Sequence, residues 1–393
     1  MILDMPFPPD PRVENEAMSL IKAGHEVYLF CLKYSETFSD EEVIDGIQVR
    51  RYLSNKLTYK LSALAYTFPF YRRILAPKIK DFIIKNRIEA LHIHDMQVAD
   101  AVFDTNRKLG LPTVLDLHEN RPEIMKHYPH INTFPGRFLI SVDRWRREEI
   151  KLVEKTDKVV VVTEEAKSDL LQVSTKEAKD IISLPNTVHK SFYASSKIDN
   201  SFIDRYKDDF VILYLGNTGW RRGIQTAIQA LPSLKQTISN IKLVVVGKSS
   251  EDEQLYQLAS DLGVLDCIDF EGWQDFKTFQ SYIASSDVCI SPLLINKHHD
   301  TTYANKLFQY MSFSKPILVS NVLAQENLID NYNCGLVHNA EDVADFEAKL
   351  IELYQSPELR KELGNNGAKV VDTFFNWDIV GEKLVAMYRE LKQ

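Results

Sequence analysis

The run HHDTTYANKLFQYMSFSKPILVS, residues 298–320, sets two histidines, Asp300, Thr301 and Thr302 ahead of Asn305 and Lys306. Leu307, Phe308 and Met311 then share one helical face, and KPILVS reads as a buried strand. A lysine in a first helical turn faces the positive end of the helix dipole, so its place there asks for a nearby anion. A helix start also offers free N–H groups to such an anion. Upstream, LYLGNTGWRRG (213–223) follows a strand-like run with Gly216, Asn217, Arg221 and Arg222. Gly216 permits a tight turn, Arg222 adds a bidentate fork and Lys306 a point charge. Two cations and a helix start suit a diphosphate better than a single negative charge.

Other polar residues gather at the ends of apolar runs. LHIHD ends at His94 and Asp95, VLDLHENRPE carries His118 and Glu119, and VVVGKSS turns at Gly247. Each also has a plainer reading. A histidine after a strand is commonly a hydrogen-bonded loop residue, Asp95 serves equally as a helix N-cap, and Arg221 and Arg222 as solvated surface charge.

The elements that must position these residues alternate from end to end. Runs 25–32, 88–94, 112–117 and 158–163 read as strands in the first half, and 210–216, 241–247, 287–292 and 315–320 in the second. Continuous Val/Ile/Leu runs are what strands buried on both faces need. Helical patterns lie between them, such as 12–24, closed by Gly24. Strand-helix-strand order predicts parallel sheets wound by helices, and its two series predict two Rossmann-like, doubly wound α/β domains facing a central cleft. The stretch 182–202 lacks periodicity, which places the linker near 195 and the domains at 1–195 and 196–375, with a final helix over 376–393. Ligands are then expected at the carboxyl ends of the strands.

The 393 residues, 45% of them apolar, are too many for one core. A net charge of -8 argues against nucleic acid as a partner. Four scattered cysteines without CxxC spacing read as reduced core residues of a cytoplasmic protein, neither disulfides nor metal ligands. No run approaches the roughly 18 apolar residues of a membrane span. The start, MILDMPFPPDPR, has no basic or long apolar region of a signal peptide and reads as a short strand before a proline-rich loop.

With these motifs in order, the chain resembles the GT-B fold retaining glycosyltransferases of family 4 (glycosyl transferases group 1), over nearly its full length. PFPPDPRVENEAMSLIKAGHEVYLF is similar to the family's opening, VLDLHENRPE to its strand-end His-Glu segment, and LPNTV to the entry to its linker. LGNTGWRRG, NKLFQYMSFSKPILVS and FNWDIVGEKLVAMYREL resemble its glycine loop, its nucleotide-site helix and its terminal helix. The resemblance implies a nucleotide-diphosphate sugar donor and a hydroxyl acceptor, with no cofactor and no metal. It implies nucleotide and diphosphate binding by Gly216, Asn217, Arg221, Arg222, Gly247, Asn305, Lys306, Leu307 and Gln309. His118, Glu119, Arg222 and Lys306 would carry catalysis. Arg12, Glu14, Asn15, His94, Asp95, Asp300, Thr301 and Thr302 are the candidates for the acceptor and donor sugar. Two departures stand out. Gln309 and Thr301 occupy positions where the family often has two glutamates eight residues apart, and Asn217 stands where it often has a second arginine.

Two other functions share these motifs. A nucleotide-sugar 2-epimerase would need the same nucleotide cradle, with His94, Asp95, His118 and Glu119 as acid/base groups. A non-catalytic nucleotide-sugar binder would account for Thr301 and Gln309. Family members commonly build surface polysaccharides and glycoconjugates, so a glycan or lipid-linked acceptor is expected. Residues 55–87 carry eight basic residues against Asp81 alone, interleaved with aromatics. The segment fits either a peripheral contact with an anionic inner membrane face or a helix pair covering the sheet. A weaker aromatic-basic patch lies at 137–149.

Overall fold

A strand apolar at every position must be covered on both faces, and nearly every strand expected from such a run forms with that burial. The structure, a computed structural model, describes the chain except for Ser196, Lys392 and Gln393 and the side chains of Pro129 and His130. It divides into two units, residues 1–185 with 380–393, and residues 186–379.

The first unit holds β1 (Tyr28–Lys33), β2 (Glu41–Ile44), β3 (Ile47–Leu53), β4 (Leu91–His94), β5 (Thr113–Leu117), β6 (Lys158–Val161) and β7 (Ile181–Ser183). β2, β3 and β1 pair in that order, and β4 to β7 pair in sequence order. Ile2 bridges Phe30 of β1 and Ile93 of β4, so the first residues join the two sets. All pairs are parallel except β2 with β3. That hairpin turns through Asp45 and Gly46, both at positive φ, a two-residue Asp-Gly signal that the strand reading passed over. Helix Pro11–Lys22 is capped by Asp10, whose carboxylate accepts the Val13 N–H at 3.1 Å. Gly24 follows its end at φ 91°.

The second unit is one parallel sheet of β8 (Phe210–Leu215), β9 (Ile241–Val246), β10 (Ile268–Gly272), β11 (Val288–Ser291), β12 (Ile317–Ser320) and β13 (Gly335–His338). Its order is β10-β9-β8-β11-β12-β13, doubly wound. Each unit has its own apolar core, around Phe30, Ile93 and Trp145 in the first and Ile212, Leu243 and Phe308 in the second.

The chain leaves the first unit between Pro185 and Asn186, ten residues before the expected linker, because Val188 and Phe192 are buried in the second unit's core. Ser196, where the second domain was expected to start, lies outside the described residues. The last helix, Trp377–Leu391, begins in the second unit and belongs to the first from Val380 onward. All four cysteines are free and buried. Among the described residues no helix is long and apolar enough to cross a membrane.

Candidate functional site

In the second sheet the strand order reverses between β8 and β11, where open α/β sheets receive ligands. Three loops interlock at the carboxyl ends. Gly247, after β9, has φ 148°, and a Cβ on it would lie 1.7 Å from the Gly216 carbonyl oxygen. Gly223 has φ 77°, and a Cβ there would lie 1.6 Å from the Pro292 carbonyl oxygen after β11. Main chain approaches main chain at both points, which only glycine allows.

Arg222 and Lys306 stand at this junction. The Arg222 Nε is buried without a hydrogen-bond partner. Lys306 is 9% exposed, with Nζ 3.4 Å from the centroid of the Tyr214 ring. Burial, and then the neighbouring Arg222 charge, push the Lys306 pKa well down. The other group acting on its charge is the Cys289 thiol, not a carboxylate. Two hydroxyls hold the frame. Tyr214 donates to the Asn217 carbonyl at 2.6 Å, and Tyr310 accepts the Leu215 N–H at 2.7 Å, tying helix Lys306–Ser312 to β8. Asn217 Oδ1 accepts the Gly219 N–H at 3.0 Å, so this side chain shapes the loop. Asn305 is exposed just ahead of the helix, Gln309 is half-buried, and Thr302 Oγ1 is buried without a partner.

Four residues assigned to this site from sequence are instead engaged in local structure. Arg221 Nη1 lies 3.3 Å from His298 Nδ1 and 3.1 Å from His299 Nε2. His299 Nδ1 lies 2.7 Å from the Leu294 carbonyl oxygen, so Nδ1 carries the proton and Nε2 accepts from Arg221. Burial pushes the His299 pKa down to about 3, which keeps the ring neutral. Asp300 accepts the Leu323 N–H at 3.1 Å, and Thr301 Oγ1 donates to the Lys297 carbonyl at 2.9 Å. Leu307 is wholly buried, and its N–H donates to Ala304 O at 2.9 Å.

The first unit builds a second polar centre, at the ends of β4 and β5. Asp116, on β5, takes Arg12 Nε at 2.7 Å and Nη2 at 2.6 Å, while Arg12 Nη1 donates to Leu184 O at 2.9 Å. Glu16, one helical turn on, lies 3.2 Å from Arg12 Nε and 3.2 Å from His92 Nε2. Neither contact is a formed hydrogen bond. Burial and the nearby Asp116 charge push the Glu16 pKa well up, so this carboxyl favours its neutral form. His92 and His94 stack at 4.6 Å, and burial keeps both uncharged. His118 has Nε2 2.9 Å from Asp116 and Nδ1 3.8 Å from Asp95. Burial works against its charge, but Asp95 and Asp116 outweigh it and raise the pKa to about 9. Both ring nitrogens then carry protons. Glu119 pairs with Arg121 at 3.1 Å. Glu14 and Asn15 lie half-buried on helix Pro11–Lys22. Thus Arg12, His94, Asp95 and His118 meet in one network, whereas Glu119 turns to Arg121.

Glu16, His92, His94 and Asp116 offer atoms of metal-ligand type within 4.8 Å of one another. Arg12 already spends both Asp116 oxygens, and its charge with that of His118 balances the carboxylates. The donor set therefore fits a charge-balanced polar core better than a metal centre.

Sequence reasoning missed Glu16, His92, Asp116 and Tyr214, and also Tyr388, whose hydroxyl lies 2.9 Å from His92 Nδ1. A signal for two of them, His92 and Glu16, was present. His92 and His94 alternate on one face of an apolar strand, and Arg12 and Glu16 are spaced i,i+4.

Residues 12–192 match Glycosyltransferase Family 4, and residues 196–370 match Glycosyl transferases group 1. The alpha-D-kanosaminyltransferase of Streptomyces kanamyceticus is 21% identical over 73% of this chain and 72% of its own. The phosphatidyl-myo-inositol mannosyltransferase of Mycolicibacterium smegmatis is 23% identical over 98% and 90%. In fold, Anabaena HepE in complex with UDP superimposes with a TM-score of 0.73, at 13% identity and covering 99% of both chains. These transferase names do not favour the epimerase reading. With both units matched and the fold shared, the chain belongs to the GT-B glycosyltransferases of group 1, family 4 type.

Proposed function

We propose that this glycosyltransferase moves a sugar from a nucleotide-diphosphate donor to a hydroxyl on a glycan or lipid-linked acceptor, with retention, in the building of a surface polysaccharide or glycoconjugate. The observation that carries the reading is the Arg222–Lys306 pair. Two cations sit together at the switch point of the second sheet, one with a buried unpartnered Nε and the other with its charge disfavoured by burial. A diphosphate supplies the missing negative charge. As the sugar–oxygen bond breaks, charge grows on the departing diphosphate, and preorganised cations stabilise it without reorganisation. The new bond forms between the anomeric carbon and the acceptor oxygen, and the acceptor proton passes to the departing phosphate oxygen. Side-chain cations take the neutralising role, so the reading includes no resident metal. His118, protonated on both nitrogens, serves as a hydrogen-bond donor to the sugar, and Glu119 helps shape its pocket. The reaction belongs to the cytoplasmic side, and a lipid-linked acceptor brings the enzyme to a membrane surface that segment 55–87 suits by charge.

Thermal shift against UDP, GDP, ADP, CMP and dTDP, with and without magnesium, tests the cradle. One nucleoside diphosphate is expected to raise the melting temperature regardless of magnesium, and Lys306→Met or Arg222→Gln to remove the rise. No shift with any of them overturns the assignment. Turnover of the matching sugar donor without any acceptor would replace the transferase reading with the epimerase.

A further inference from the structure

Neither Arg222 nor Lys306 stands alone at the switch point of the second sheet. Tyr214, on β8 where the strand order reverses, is wholly buried. Its ring centroid lies 3.4 Å from Lys306 Nζ, well inside the ~6 Å reach of a cation–π contact. The Arg222 charge acts on the Tyr214 phenol as it does on the Lys306 ammonium. The phenol oxygen is held in turn. It donates to the Asn217 carbonyl at 2.6 Å, in the loop that Asn217 Oδ1 closes onto the Gly219 N–H. One side chain thus has its face against the lysine and its hydroxyl in the glycine loop.

The choice of partner has chemical consequences. A carboxylate against Lys306 would neutralise it and compete with an arriving diphosphate for the same cation. With no partner, a buried ammonium beside an arginine sheds its proton, since desolvation and the like charge both disfavour the charged form. Those two causes already push the Lys306 pKa well down. An aromatic face avoids both outcomes. Its quadrupole attracts the ammonium most strongly where water is excluded, and it brings no anion that a ligand must displace.

We propose that Tyr214 is a positioning residue for the transfer: its ring holds the Lys306 ammonium in place for the diphosphate, and its hydroxyl locks that ring to the glycine loop. The inference deepens the donor-site reading and rests on it for the identity of the anion. It gives the short helix Lys306–Ser312 a second tie to β8, made through the lysine itself, beside the Tyr310 hydrogen bond to Leu215.

Changing the electrons of the ring without its shape tests this. Calorimetric titration with UDP, GDP, ADP and dTDP finds the diphosphate that the native chain binds most tightly. That ligand is then titrated into Tyr214→Phe and into chains with 4-fluorophenylalanine or 3,4,5-trifluorophenylalanine at the same position. Fluorine draws density from the ring face and weakens its hold on a cation, while ring volume changes little. Affinity should fall stepwise with fluorine number, by roughly tenfold between Tyr214→Phe and the trifluoro ring. A ring that serves only as packing gives no such gradation. Tyr214→Phe itself should bind about threefold less tightly than the native chain, because the loop loses a hydrogen bond. Unchanged melting temperatures without ligand show that each chain folds. Equal affinity across the fluorine series overturns the proposal, and native affinity in Tyr214→Phe overturns the part given to the hydroxyl. A native chain that binds none of the four diphosphates removes the donor-site reading and this inference together. Native binding with a flat fluorine series removes only the role of Tyr214.

Discussion

At the scale of single residues the two polar centres use opposite electrostatics. His118 lies between Asp116 and Asp95, while Lys306 lies beside Arg222. The His118 pKa is raised, so the stabilisation from its pairing is full below the ordinary imidazole value of 6.5 and is lost as pH rises through about 9. Histidine NMR titration should place its midpoint near 9. Asp95→Asn should bring the midpoint down by about one pH unit, since a half-exposed carboxylate at this distance contributes on the order of 1 kcal/mol. An unchanged midpoint in that variant would reject the two-carboxylate clamp. Arg221 illustrates the opposite lesson. Beside Arg222 in sequence and equally basic, it is occupied by His298 and His299.

At the scale of elements, the proposed donor site depends on loops that pack backbone against backbone. A methyl group on Gly247 meets the Gly216 carbonyl 1.7 Å away, and its φ of 148° is strained for any L side chain. Gly247→Ala should therefore cost about 2 kcal/mol or more in denaturant unfolding and spread the loops that hold Arg222. Wild-type stability with a full nucleotide shift would show that this contact yields easily. Helix Lys306–Ser312 spans only seven residues, so the Tyr310–Leu215 bond and its buried face, not helix length, keep Lys306 in place.

At the scale of the whole molecule, the chain leaves the first unit at Pro185 and re-enters it at Val380, so its last helix completes a core begun nearly 380 residues earlier. Tyr388 is the joint. Its hydroxyl lies 2.9 Å from His92 Nδ1, and Lys158 pairs with Glu390 at 2.9 Å. Tyr388→Phe leaves a buried imidazole nitrogen unsatisfied and should lower stability by about 1–3 kcal/mol. Nucleotide binding, which the proposed function assigns to the other unit, should stay unchanged. Loss of both together would show that the two units respond as one.

By itself the sequence determined the strands that face no water and the glycines that close the turns after them. β1, β4, β5, β6, β8, β9, β11 and β12 are legible because burial on both faces demands unbroken apolar runs. β2, β3, β7, β10 and β13 are not, because mixed or brief runs give no unbroken apolar stretch. Residue types at strand ends marked His94, Asp95, His118, Arg222 and Lys306 as chemistry-bearing. Only the tertiary structure decided how each charge is spent. Arg12 finds Asp116 across 104 residues, Asp300 caps a helix, and Lys306 is left with Arg222 and no carboxylate. Pairing energy depends on distance and burial in space, and neither is written in local spacing.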